Sequence, residues 1–341
     1  MIAHVHIRGF QALADVTVEL GRMTVIVGAN ASGKSSFLDA LALLGRARET
    51  SAADVLFGRR GDARHGWMDG ARTHGLEGEV QLELQAQGSR TGLTWIRGPD
   101  SWTWNTWSGE PGRPLRPAEA PRIGAVRFEP SVLRAPAPLG GDATTIAPNG
   151  TGFAATLMHV QLTEPQTWRR IAESLRNVVP VAADLRTHVV NAGDQGPSAA
   201  LEVRLAGADN GWCPAAHLSE GTLFTLALLT VLYAPARPQT LLLDDIERGL
   251  HPRAQRELVA CLRGLLAADP DLQIVCTTHS PYLLDEFEPH DVRVFQLDPS
   301  GHTCVKTLTE HPDWPRMRGH LSAGEFWANV GESWVFADAA E

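Results

Sequence analysis

Gly28-Ala29-Asn30-Ala31-Ser32-Gly33-Lys34-Ser35 satisfies the spacing G-x-x-x-x-G-K-[ST], and its flanks leave few folds open. Met23-Thr24-Val25-Ile26-Val27 before it is a short β-branched run, the pattern of a buried strand. Phe37, Leu38, Leu41 and Leu44 after it share one face of a helix. Strand, glycine loop and helix in that order commit this part of the chain to an α/β fold. The glycines let the backbone curl so that successive N–H groups point inward at phosphate oxygens. The helix N-terminus adds its partial positive charge. The expected contacts to the nucleotide phosphates are therefore Asn30, Ala31, Ser32, Gly33, Lys34, Ser35 and Ser36. Lys34 would reach the β- and γ-phosphates, and the Ser35 hydroxyl would ligate Mg²⁺.

The chain has 341 residues, room for about two domains. Apolar residues make up 43% and charged residues 20%, enough for a buried core in a soluble protein. The longest apolar run, residues 223–234, is interrupted by Thr225 and Thr230 and is too short to span a bilayer. The N-terminus sets His4, His6 and Arg8 among its apolar residues, so it lacks the apolar core of a secretion signal. A cytoplasmic protein with no membrane partner is expected. Cys213, Cys261, Cys276 and Cys304 form no C-x-x-C pair, which argues against structural zinc and for reduced thiols. The net charge of −9 disfavours a uniform nucleic-acid-binding surface. It leaves DNA as a partner only through a local basic patch or a groove made in a dimer or complex.

Residues 1–30 read as strands, with Val5-His6-Ile7 and residues 16–20 flanking Gly9 and a turn at Gly21. Residues 46–75 read as solvated loop. Their basic residues Arg59, Arg60, Arg64, His65, Arg72 and His74 are diluted by Asp62 and Asp69, and contact with nucleic acid or a partner is the alternative. Residues 79–85 alternate as a half-buried strand. Residues 93–97 and 102–107 read as a hairpin in which Trp102 and Trp104 share a face; packing is favoured over a base-stacking platform. Residues 123–128 read as a strand, 129–150 as a Pro/Gly-rich connection, and 153–162 and 165–178 as helices. From about residue 200 to 297, helix and strand alternate, the signature of a parallel sheet with crossovers.

Three further stretches carry chemistry. Leu218-Ser219-Glu220-Gly221 precedes an apolar helix, so Ser219 and the amides near Gly221 can present a helix N-terminus to a γ-phosphate. If this motif and the phosphate loop lie at opposite ends of the head, that phosphate belongs to a second copy, and two heads stack head to tail. Residues 240–243 read as a buried strand delivering Asp244 and Asp245 to its carboxyl end, where ligands bind in doubly wound sheets. Asp244 would hold Mg²⁺ and Asp245 would polarise the attacking water; the bland alternative is a pair of acids capping the next helix. His279 follows the strand of residues 272–277, at the same edge, where it can donate to the γ-phosphate or orient water rather than serve the core. Ser280 then reads as an N-cap and Pro281 as a first helical residue.

These pieces, in this order, resemble the ATP-binding-cassette-type heads of the structural-maintenance-of-chromosomes, RecF and OLD ATPases. They resemble most of all the bacterial "AAA family" ATPases often called AAA_21. The likeness is carried by Ile7-Arg8-Gly9-Phe10, by HLSEGTL at 217–223, by LLLDDIERGLHP at 241–252 and by TTHSPYLLD at 277–285. It implies an α/β P-loop NTPase: an ABC-ATPase head with an N-terminal antiparallel β lobe, a mostly parallel core sheet and a helical insertion. The expected boundaries are 1–135 for the first half of the head, 136–199 for the insertion, 200–297 for the second half and 298–341 for a strand/helix tail. The resemblance implies ATP and Mg²⁺ as ligands and Lys34, Asp245 and His279 as catalytic residues. It implies Ser35 and Asp244 at the metal, Ser219, Glu220 and Gly221 acting in trans, and residues 249–252 at the dimer seam.

This sequence departs from the family at two points. Asp245 stands where the family has glutamate, one methylene longer, which predicts slow turnover; Glu247 is a poor substitute because it lies in the turn. The glutamine that senses Mg²⁺ in such heads has no position fixed by spacing, and Gln81, Gln85 and Gln87 are its candidates. No heptad run is long enough for coiled-coil arms. The tail is too short for an appended nuclease; its Phe326, Trp327, Val330 and Trp334 fit a helix packed on the head. The leading expectation is a homodimeric, ATP-dependent switch, with higher assemblies of dimers allowed. It would serve a separate nuclease-like effector in bacterial anti-phage defence or DNA repair. The alternatives are a nucleotide-sensing scaffold that hardly hydrolyses ATP and, ranked lower, the motor of a membrane transporter.

Overall fold

The computed structural model describes residues 1–46, 79–86, 89–97, 102–109, 122–140, 143–193, 196–207, 211–234 and 236–340. The expected basic loop, the tip of the tryptophan hairpin, the side chains of Trp102, Trp104 and Trp107, and Gln87 lie outside what is described. The first elements are β1 (Ile2–Phe10), β2 (Leu13–Glu19), β3 (Met23–Gly28), α1 (Lys34–Arg46), β4 (Glu79–Ala86), β5 (Ser89–Arg97), β6 (Trp102–Ser108) and β7 (Ile123–Val126). Next come α2 (Pro130–Arg134), β8 (Ala137–Pro138), α3 (Phe153–Thr163), α4 (Pro165–Val178), β9 (Ala182–Asn191), β10 (Pro197–Leu205), β11 (Trp212–Pro214) and α5 (Glu220–Tyr233). The chain continues through β12 (Thr240–Leu243), α6 (Pro252–Ala268), β13 (Gln273–Thr277), α7 (Pro281–Leu284), β14 (Val292–Leu297), β15 (Thr303–Thr307), α8 (Trp314–Met317) and α9 (Ala323–Val330).

The chain divides into two compact units. One comprises residues 1–125, 238–245 and 271–341, the other residues 126–237 and 246–270. The first holds two sheets. An antiparallel sheet runs β2-β1-β4-β5-β6, and a mostly parallel one runs β15-β14-β3-β13-β12-β7. Alternation builds the antiparallel lobe: Val5, Ile7, Val16, Val18, Leu82 and Leu84 are buried on one face, while His4, His6, Arg8, Asp15 and Glu19 pair on the other. In β3 every residue is buried, as a central parallel strand requires. Phe37, Leu41 and Leu44 of α1 join Ile26, Leu242, Val275 and Phe295 in one apolar core. Gly9 does not break the N-terminal hairpin. β1 runs through it, and the turn falls at Gln11, which takes φ +52°.

The second unit packs helices on the antiparallel group β8–β11, in which β10 is central. α5 is apolar nearly all round and buried on most sides, with Leu223, Leu226, Leu229 and Leu232 each fully enclosed. Each such leucine contributes about 1.5–3 kcal/mol by leaving water. α4 is amphipathic and buries Ile171, Leu175 and Val178. The helices expected at 153–162 and 165–178 form as α3 and α4, and within the segment expected as a helical insertion the chain then turns to strand at β9. Only Ala182 and Leu185 of β9 are buried, three positions apart, so the strand carries no period-two signal. The five-residue α2 likewise lies inside the stretch read as a connection, with Pro130 in its first turn.

Candidate active site

The phosphate loop is built at the carboxyl end of β3. Gly28 takes φ +147°, and a Cβ there would lie 2.1 Å from the backbone oxygen of Phe295 on β14, so no larger residue fits. Gly33 takes φ +96°, with its missing Cβ 2.3 Å from Thr303 Oγ1. Ala31, at φ +63°, completes the left-handed turns that coil the loop ahead of α1. Lys34 is buried and folds back over the loop, its Nζ donating to Gly28 O at 2.9 Å and Ala29 O at 2.7 Å. Ser32 is 1% exposed, and its hydroxyl meets no hydrogen-bond partner among the described residues. A buried hydroxyl without a partner beside a curled row of amides fits a polar, anionic guest.

The two acids stand beside this loop in the same unit. β12 ends at Leu243, and Ser35 Oγ lies 3.5 Å from Asp244 Oδ1. Thr277, wholly buried at the end of β13, donates its hydroxyl to Asp244 Oδ1 at 2.7 Å and accepts the Asp245 N–H at 2.8 Å. Parallel pairing of β12 with β13 sets this register, Leu243 opposite Cys276. Asp245 takes φ +50°, a left-handed conformation that aspartate tolerates better than most residues. Its Oδ1 lies 4.0 Å from His279 Nε2, with both side chains about half exposed. Ser280 caps α7 by accepting the Leu283 N–H at 3.3 Å, and Pro281 sits in the first turn. Lys34, Ser35, Asp244, Asp245 and His279 thus meet at one edge of the parallel sheet. The hard oxygens of Ser35 and Asp244 suit a magnesium ion that keeps waters and substrate oxygens as its other ligands. No cluster of three or more His, Cys, Asp or Glu residues stands as a self-sufficient metal site among the described residues.

Ser219, Glu220 and Gly221 belong to the second unit. Ser219 caps α5, its Oγ accepting the Thr222 N–H at 3.2 Å and sharing a 2.8 Å bond with the Thr222 hydroxyl. A Cβ on Gly221 would fall 2.2 Å from the backbone oxygen of Gly249, itself at φ +70°. Glycine at 221 therefore lets the 246–251 turn lie against the first turn of α5. His251 caps α6 through Nδ1, 3.3 Å from the Arg253 amide. A cavity of about 290 Å³ opens here, lined by residues that include Asn177, Pro180, Ser219, Gly221, His251 and Arg253.

Gln81 and Gln85 lie on β4, opposite Arg8 and His4 of β1. Glu247 is half-buried in the turn after the acids. Sequence reasoning missed Thr277 and Thr303. Thr277 opens the 277–285 stretch without an expected role of its own, and Thr303 belongs to no motif and reaches the loop from 271 positions away. All the cysteines are free thiols. No helix among the described residues is long and apolar enough to cross a membrane.

Two family models match parts of the chain. The model described as "AAA domain, putative AbiEii toxin, Type IV TA system" matches residues 176–285, and the one described as "AAA ATPase domain" matches residues 1–65. Among solved structures, the chain is similar to an Smc head crystallised with the C-terminal winged-helix domain of ScpA. That match has 15% identity and TM-score 0.63 and covers 89% of this chain and 97% of that one. It is also similar to an Smc head with an extended coiled coil, bound to the C-terminal domain of ScpA derived from Pyrococcus furiosus. There the identity is 14% and the TM-score 0.54, over 89% of this chain and 95% of the other.

Proposed function

We propose that the chain is an AAA/ABC-type ATPase akin to the heads of the structural-maintenance-of-chromosomes and RecF-like proteins, a reading its two family-model matches and its fold support, and that it binds and hydrolyses ATP as a head-to-tail dimer and works as a conformational switch. The observation that carries this reading is the meeting of Lys34, Ser35, Asp244, Asp245 and His279 at one sheet edge, with Ser35 and Asp244 3.5 Å apart. The amides of residues 30–36 cradle the phosphates at the N-terminus of α1. Lys34 exchanges its two loop carbonyls for β- and γ-phosphate oxygens. Ser35 and Asp244 would hold Mg²⁺, which when bound would neutralise charge on those phosphates. Asp245 accepts a proton from the attacking water, and His279 fixes the water or donates to the γ-phosphate. Ser219, Glu220 and Gly221 of a second copy close the site from the other side, with the N-terminus of α5 facing the γ-phosphate.

The biological reading follows from kinship. A family described as "putative AbiEii toxin, Type IV TA system" supports a role in bacterial defence; the alternative of DNA repair, and a separate nuclease-like effector reading the open or closed state, rest on fold-level analogy alone. The test is ATP hydrolysis by the purified chain with Mg²⁺. The reading expects phosphate release that Lys34→Ala, Asp244→Ala and Asp245→Asn each abolish; release unaffected by these changes contradicts it. A second reading, a slow holder of ATP, draws on Asp245, whose short side chain stands 4.0 Å from His279 on a left-handed backbone.

A further inference from the structure

We infer that Thr303, on the strand that closes the far edge of the parallel sheet, is a positioning residue for the phosphate loop and sets the affinity for the nucleotide. The inference rests on the proposed ATP site. Thr303 opens β15, opposite Leu297 of β14, and β14 pairs in turn with β3 so that Phe295 lies beside Gly28. That register carries the Thr303 side chain to the carboxyl end of β3, where the loop begins. Its hydroxyl donates to the Ser32 backbone oxygen at 3.0 Å, and its own N–H donates to Ala12 O at 2.9 Å. The residue is 4% exposed, so water does not replace either bond.

The same oxygen bounds the loop from outside. A Cβ on Gly33 would lie 2.3 Å from Thr303 Oγ1 and 3.3 Å from Leu13 Cδ2. Thr303 therefore ties the loop to the turn between β1 and β2 and blocks the peptide between Ser32 and Gly33 from swinging outward. The Gly33 amide is part of that peptide and is one of the donors expected at the phosphates. Without the bond, the Ser32 carbonyl is buried and unsatisfied, and the peptide can rotate to find another partner. The amide then leaves its inward aim, and binding falls.

The experiment titrates a fluorescent ATP analogue with Mg²⁺ onto the native chain and its Lys34→Ala, Thr303→Val and Thr303→Ser variants. Undiminished binding by Lys34→Ala overturns the nucleotide site itself. Given a defect there, Thr303→Val is expected to weaken binding about tenfold, the loss of one buried hydrogen bond. Thr303→Ser, which keeps the hydroxyl, is expected to stay within about twofold of native. In hydrolysis, KM rises with Thr303→Val while kcat holds. Native affinity in Thr303→Val overturns the inference and leaves the site standing. An equal loss in Thr303→Ser also overturns it, since the methyl group rather than the donor would then matter. Should Thr303→Val not fold, Thr303→Ala removes the donor without added bulk and is judged by the same criteria.

Discussion

Gly221→Ala separates holding ATP from hydrolysing it. The new Cβ would sit 2.2 Å from the Gly249 backbone oxygen, where ordinary contact begins at 3.4 Å. Relief needs a shift of about 1.2 Å, and both partners are backbone, so no side chain can swing aside. The first turn of α5 or the 246–251 turn must move. Overpacking of this kind costs about 1–3 kcal/mol, which lowers the thermal midpoint by a few degrees. The functional consequence is larger. A catalytic group misplaced by about 1 Å loses roughly a hundredfold in rate. Lys34, Ser35 and Asp244 lie in the other compact unit and keep their contacts. Binding of an ATP analogue by Gly221→Ala should therefore stay within about twofold of native, while steady-state phosphate release falls about a hundredfold. Native turnover in a folded Gly221→Ala chain would refute the reasoning, as would loss of binding in parallel with loss of turnover.

Asp245→Asn should lower phosphate release by at least about a hundredfold and retain the nucleotide, because asparagine also accepts the φ of +50° found there. Asp245→Glu extends the carboxylate by one methylene. The switch reading expects turnover within about tenfold of native, and a much larger rise in a phosphate-release assay would favour the ATP-holding reading. Burial pushes the Cys261 and Cys304 thiols above their ordinary value of 9.0. Less thiolate is then present below that pH, so alkylation by iodoacetamide at pH 8 should run slower at both than at a free thiol and accelerate as pH rises past 9.0. Mass spectrometry of the labelled peptides reads this directly, and free-thiol rates at either position would contradict it.

The loop, the acidic strand end and the histidine were legible because each is local. A short buried strand followed by a loop needing left-handed residues leaves a mark in a dozen consecutive positions, and Gly28 and Gly33 take the positive φ that such a loop demands. Ser219, Ser280 and Pro281 were legible as helix starts for the same reason. Thr277 and Thr303 were not. Their chemistry depends on which strands become neighbours, and no local spacing encodes that β14 and β13 flank β3. β9 escaped because only Ala182 and Leu185 of it are buried, too few for a period-two pattern. The expected helical tail was partly right. Phe326 and Trp327 are buried on α9, but Trp334 lies beyond that helix, its ring edge-on to His311 with centroids 4.9 Å apart. There the aromatic residues serve tail packing.

The account depends on an active centre divided between two copies of the chain. Mixing two inactive variants tests it most directly. One is Lys34→Ala, which keeps Ser219; the other is Ser219→Arg, which keeps Lys34. Random pairing places one intact centre in each mixed dimer, and the account predicts about a quarter of native ATPase activity from the mixture and none from either variant alone. A mixture as inactive as its components, with mixed dimers demonstrated by differential tags, would contradict it, as would full activity in Ser219→Arg by itself.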